Sequence, residues 1–201
     1  FIAYMQLFKK IGLKAIPMKA DTGPIGGDLS HEFIIIADTG ESEVYFEKEL
    51  LDYKGFVDQV DYDSNLQVIV DKYTSFYAAT DEKHDSKAYD KDLNNLIKAK
   101  GIEVGHIFHF GQKYSNPMQA NINTYEGKNI PVFMGSYGVG LSRLVGAVIE
   151  ASHDKDGIIW PKEIAPWYYH LINLKNGDEE CDKICFDVYN SIKEQSKTVL
   201  Y

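Results

Sequence analysis

The chain has 201 residues, 44% hydrophobic and 13% aromatic, which is enough for one sizeable core and too apolar for a disordered chain. A net charge of −9 argues against a broad basic nucleic-acid surface on this segment. No apolar run approaches the roughly 20 residues of a membrane span.

Phe1, Met5, Leu7, Phe8 and Ile11 recur at helical spacing, and Gly12 closes that helix. The chain opens in mid-helix, without methionine and without the cleavage pattern of a signal peptide. It is therefore expected to be a fragment, in the reducing cytoplasm. Lys14–Ala20 is extended and leads through the turn-rich DTGPIGGDLS into a strand, HEFIIIAD. Glu41–Tyr62 reads as acidic and irregular, Asn65–Ala79 as an apolar-aromatic helix or strand, and Asp81–Lys100 as a solvated helix or connection. GIEVGHIFHFG is a strand. Two further strands follow, joined by a turn near Glu126–Lys128, before LSRLVGAVIEA resumes helical spacing. After the two prolines of IIWPKEIAP the pattern becomes a strand (WYYHLINL), a turn (NGDEE) and an amphipathic helix over Cys181–Lys197. A domain boundary is expected at Ala165–Pro166. Cys181 and Cys185 read as buried thiols on one helix face, since a zinc site needs more ligands than His170 would add.

The glycine-rich turn GSYGVGLSRL carries the strongest chemical signal. Gly135, Gly138 and Gly140 let the backbone approach a ligand, and the following helix N-terminus favours an anion. Arg143, the single arginine among 21 basic residues, would add a bidentate fork to a phosphate that lysine cannot mimic. The spacing is neither a P-loop nor a dinucleotide fingerprint. On the strand before it, alternation predicts Glu103, Gly105, Ile107 and His109 on one face and Val104, His106, Phe108 and Phe110 on the other. Ser30 and His31 are sequence neighbours on a strand, so they point to opposite faces and make no catalytic dyad. His84 and His153 sit in charged contexts and read as solvated.

ADTGPIGGDLSHEF, YAATDEKHD, GIEVGHIFHFGQKYS, MGSYGVGLSRLVGAVIEASHD and GIIWPKEIAP together resemble prolyl-tRNA synthetases of bacterial type, in order and over nearly the whole chain. GSYGVGLSRL resembles the third signature motif of class II aminoacyl-tRNA synthetases. The resemblance implies an α+β fold. Residues 1–165 would be the C-terminal part of a class II catalytic domain, an antiparallel sheet with flanking helices, with motif 3 at 134–150 and a short connection at 41–100. Residues 166–201 would begin an α/β anticodon-binding domain. It also implies activation of L-proline by ATP with Mg2+ to prolyl-adenylate, transfer to tRNA(Pro), and a homodimer in the full-length protein. By position, Arg143 would be the catalytic arginine on the γ-phosphate of bent ATP. Glu103 and His106 would contact ATP; from its place on the strand, Glu103 reads as a holder of Mg2+ or of a ribose hydroxyl. Phe108, Ser136 and Gly138 would surround the proline ring, with His31 nearby.

Three departures from the family pattern matter. The first two signature motifs would lie before Phe1, so the chain alone is expected to be inactive. The connection at 41–100 is too short for the editing insertion of many relatives, which implies a separate editing factor. His109 stands where many relatives carry glutamine or tyrosine. The rival expectation is a synthetase-like paralogue that serves as a binding or regulatory module.

Overall fold

The computed structural model describes residues 1–55 and 60–201. They form two compact units, Phe1–Ile159 and Trp160–Tyr201. The division falls a few residues before the Ala165–Pro166 position read from the prolines.

In the first unit helix α1 (Ile2–Lys10) precedes β1 (Ala15–Lys19), β2 (Leu29–Ile36) and β3 (Ser42–Glu47). Helix α2 (Gln67–Thr74) and the short β4 (Ala78–Thr80) then lead to β5 (Leu96–Gly111), 16 residues long. The strands pair in the order β2-β1-β4-β3-β5, and β2 also pairs with β5, so these five close into a small barrel. Most pairs are antiparallel, while β1 meets β4 in parallel at Lys19 and Ala79. Closure requires two backbones to touch. A Cβ on Gly40, in the β2–β3 turn, would land on the backbone of Gly101, and one on Gly101 would land on Ile34 Cγ2.

Two expectations need correction here. Glu41–Tyr62 is not irregular throughout, because Ser42–Glu47 form β3, with Val44 and Phe46 buried between more exposed Glu43 and Tyr45. The acidic residues disguised an ordinary period-2 strand. Of the helix or connection expected over Asp81–Lys100 the structure has the connection, with two 3-10 turns, and its last residues, from Leu96, begin β5 instead.

The barrel interior holds Ile16, Met18, Ile34, Val44, Phe46 and Ala78, with Leu50 from the 3-10 turn after β3. The opposite face of β2 carries Phe33, against which Phe1, Tyr4 and Phe8 pack at centroid distances of 5.1–5.7 Å. That contact uses the i, i+3, i+7 face of the α1 segment.

Beyond β5, a short helix α3 (Ser115–Met118) and the hairpin β6 (Asn121–Asn123) and β7 (Asn129–Pro131) lead to β8 (Met134–Val139). β8 pairs with the C-terminal half of β5, and helix α4 (Leu141–Ala151) follows directly. The small pair β9 (His153–Asp154) and β10 (Gly157–Ile158) ends the unit.

The second unit is a single β–α–β. β11 (Tyr169–His170) and β12 (Val199–Leu200) pair in parallel, and α5 (Glu179–Glu194) connects them. The strand expected over WYYHLINL is only those two residues. Asp178 caps α5 by accepting from Cys181 N at 3.0 Å. Cys181 and Cys185 are free thiols and half-buried, not buried as expected, because the helix face that carries them is only partly covered. No helix among the described residues is long and apolar enough to cross a membrane.

Candidate functional site

The site lies where the inner face of β2 and β5 emerges from the barrel and meets β8. Cross-strand pairing builds two rows on this face. Ser30, Phe108 and Ser136 form one, and Glu32, His106 and Gly138 form the other. Side chains directly opposite one another across strands share a face and lie within contact range.

Simple alternation on β5 would have kept Glu103 away from His106. The strand instead carries a β-bulge, since Phe33 pairs with Gly105 and Ile34 with Glu103, leaving Val104 as the extra residue. A bulge reverses the parity of everything beyond it. Glu103 and His106 therefore share the face, with Oε1 of Glu103 3.2 Å from His106 Nδ1. The sequence-derived division of β5 into two faces is corrected accordingly.

His106 is the centre of a network. Its Nε2 lies 2.6 Å from Ser30 Oγ, and its Nδ1 lies 3.8 Å from Glu32 Oε1. A carboxylate only accepts, so Glu103 selects the tautomer with hydrogen on Nδ1, and Ser30 then donates to Nε2. Serine, histidine and acid thus stand in the order of a hydrolytic triad. Ser30 is only 4% exposed in mid-strand, however, so its hydroxyl orients the imidazole and is not presented to a substrate. Phe108 stacks on the His106 ring at 3.9 Å between centroids.

The two carboxyls behave oppositely. The hydrogen bond from His106 holds Glu103 below its ordinary pKa, with the charge of Arg143 assisting. Burial, together with the charge of Glu103, pushes Glu32 up to about 7. Glu32, Glu103 and His106 offer ligand atoms within 4.8 Å of one another, a spacing that suits a small divalent cation.

Arg143, in the first turn of α4, reaches this cluster. Its Nη1 donates to the Glu103 carbonyl at 3.3 Å and to Glu103 Oε2 at 3.4 Å, and its Nη2 lies 3.3 Å from Glu41 Oε1. The glycines of the turn serve by what they lack, and none of Gly135, Gly138 and Gly140 takes a positive φ. A Cβ on Gly138 would find nothing nearer than the His106 carbonyl at 4.0 Å, so the surface beside the His106 ring stays open.

Arg143, Glu103, His106, Phe108, Ser136 and Gly138, all singled out in the sequence, are brought together. His31 is not. It lies on the other face of β2, 4% exposed, edge-on to Phe1 at 5.6 Å. Its expected place beside the proline pocket is corrected for the same reason that excluded the Ser30–His31 dyad: strand neighbours face opposite ways. His109 points away from the rows and pairs with Asp28 at 2.6 Å. Sequence reasoning placed Ser30 and Glu32 in local structure or a substrate wall but missed their contact with His106, and it missed Glu41 as a partner of Arg143. A register of SHEF against GHIF would have revealed the contacts with His106.

No family model matches the chain. The chain is 56% identical over 201 residues to the proline–tRNA ligase of Rhodospirillum rubrum, and 53% identical over 204 residues to that of Rhizobium johnstonii. All of this chain is covered in both matches, and it spans 46% of each relative. Two solved structures share the fold over 98% of this chain and 30% of theirs, at 13% identity. They are a prolyl-tRNA synthetase from Cryptosporidium parvum complexed with L-proline and AMP (TM-score 0.55) and one from Giardia lamblia in complex with prolyl-adenylate (TM-score 0.57). Over its whole length, and over about half of theirs, the chain is a homologue of the proline–tRNA ligases.

Proposed function

We propose that this chain is the motif-3 half of the catalytic domain of a proline–tRNA ligase, opening into an anticodon-binding domain at its C-terminal end. The full-length protein would activate L-proline with ATP to prolyl-adenylate and transfer the prolyl group to tRNA(Pro). The observation that carries this reading is the convergence of Glu103, His106 and Arg143 beside the open glycine edge of β8, in a sequence 50–56% identical to such ligases.

In this reading the guanidinium of Arg143 binds the γ-phosphate of ATP, and His106 and Glu103 line the nucleotide side. Phe108, Ser136 and Gly138 flank the proline ring, where Phe108 supplies an apolar wall and Gly138 the room. Adenylate formation needs little covalent help from the protein, so orientation and charge neutralisation dominate. The carboxyl cluster fits magnesium through Glu103, whose low pKa keeps it anionic, and the ion would supply charge neutralisation at the phosphates. The chain alone lacks the first two signature motifs and is inactive on this reading, and the full-length ligase is a cytoplasmic homodimer. The 41–100 connection is too short for an editing domain, so on this reading removal of mischarged alanine falls to a separate factor.

Proline-dependent ATP–pyrophosphate exchange by the full-length ligase tests the reading. Arg143→Lys is expected to lower the exchange rate about 10²- to 10³-fold, by analogy with loss of one oxyanion donor, with melting unchanged. Proline binding without any exchange would favour the binding-module alternative.

A further inference from the structure

We propose that the β2–β3 turn is a clasp that aims Arg143, with Glu41 as its positioning residue. The proposal rests on the reading of Arg143 as a phosphate ligand and adds a residue that reading does not use.

The turn is anchored before it reaches the helix. Gly40 N donates to Ala37 O at 2.9 Å, and Gly40 lies so close to the Gly101 backbone that no side chain fits between them. From this fixed point the turn touches α4 twice. Thr39 Oγ1 donates to Glu150 Oε2 at 2.7 Å, and Glu41 Oε1 meets Arg143 Nη2 at 3.3 Å. Arg143 and Glu150 are two helical turns apart and share one stripe of α4. The clasp therefore spans most of the helix on the face that carries Arg143 and Glu150.

Its consequence falls on the guanidinium. The Arg143 side chain is 47% exposed, and a long side chain at such a site samples many rotamers unless held. Glu41 takes Nη2 on one side, and Glu103 takes Nη1 on the other. Two acceptors on opposite arms fix both the direction and the plane of the fork. A guanidinium has five donors, so donors remain for a phosphate. An ion pair this exposed adds little to folding stability. Loss of Glu41 should therefore be read in how ATP binds and not in how the protein melts.

The test is Glu41→Ala in the full-length ligase, assayed by proline-dependent ATP–pyrophosphate exchange alone and in an Arg143→Lys background. KM for ATP is expected to rise about three- to tenfold, with KM for proline and Tm unchanged. In the Arg143→Lys background the same substitution is expected to change KM for ATP less than about twofold, because the group it aims is gone. Thr39→Val, which cuts the other tie and keeps the volume, is expected to raise KM for ATP by about twofold. An unchanged KM for ATP in Glu41→Ala overturns the clasp, as does an equal rise in both backgrounds. Normal exchange by Arg143→Lys would overturn the phosphate reading itself. A crippled Arg143→Lys beside a normal Glu41→Ala would overturn only the clasp.

Discussion

Glu32 and His31 are chain neighbours, yet they load the fold in opposite pH windows. The ordinary carboxyl value of 4.5 rises to about 7 for Glu32, because burial and the nearby Glu103 charge disfavour its ionised form. A raised value means that the folded state holds the proton more tightly. Stability from this group is thus fully present below about pH 4.5 and is lost as pH rises through about 7. Replacing it by isosteric glutamine removes that dependence, so the Tm of Glu32→Gln relative to the parent protein should climb between pH 5 and 8. A constant difference would show that Glu32 ionises in the folded protein as it does in water. His31 works the other way. Burial lowers it from 6.5 to about 4, so its contribution is present above about 6.5 and is lost as pH falls through about 4. The shift corresponds to something on the order of 3 kcal/mol. His31→Leu is expected to flatten the acid side of a Tm-against-pH curve, and an unchanged acid limb would show that other groups drive acid unfolding.

The strands show where sequence reading succeeds and where it stops. Helix α1, strands β1 and β2, the core of β5 and helix α4 were legible, because each carries helical spacing, an extended or apolar run, or a local alternation in its own residues. The bulge at Val104 was not, since nothing in GIEVGHIF marks it and it exists only through the register with β2. Six of the seven residues expected at the site lie together, and Glu103 joins them through the bulge, not through simple alternation. The contacts of Ser30 and Glu32 with His106 were not legible, because that partner lies 76 and 74 positions away, a distance no local pattern spans. The open edge of β8 gives a test that separates fold from site. A Cβ on Gly138 meets nothing closer than 4.0 Å, so Gly138→Ala should leave Tm within a degree or two of the parent. It would nevertheless project from the face shared by Phe108 and His106. Crowding a small pocket by one methyl costs about 1–3 kcal/mol of substrate binding, so KM for proline in the exchange assay should rise about tenfold or more. An unchanged KM would move the proline ring away from this row.

The first unit as a whole is a barrel whose lumen is the core and whose mouth is the site, and the 41–100 connection is built into its wall. That segment supplies β3, β4 and the beginning of β5, and it places Val44, Phe46, Leu50 and Ala78 in the interior. Without it, β1 would lose its β4 neighbour and the rest of β5 its β3 neighbour, exposing unpaired strand edges and the inward faces of Ile16, Met18 and Ile34. A segment inserted as a separate module could be cut out at small cost, because its ends would meet and its contacts would be its own. Here the contacts are shared with the strands that carry Glu32, Glu103 and His106. Replacing residues 42–98 by a short glycine-serine linker should therefore abolish cooperative melting in the near-ultraviolet circular dichroism signal. Gly40→Ala, which disturbs the same wall at one point, should cost only about 1–3 kcal/mol and keep the transition cooperative. A linker variant that melted cooperatively near the parent temperature would mean that the connection is an appendage and that the mouth of the barrel is held together from elsewhere.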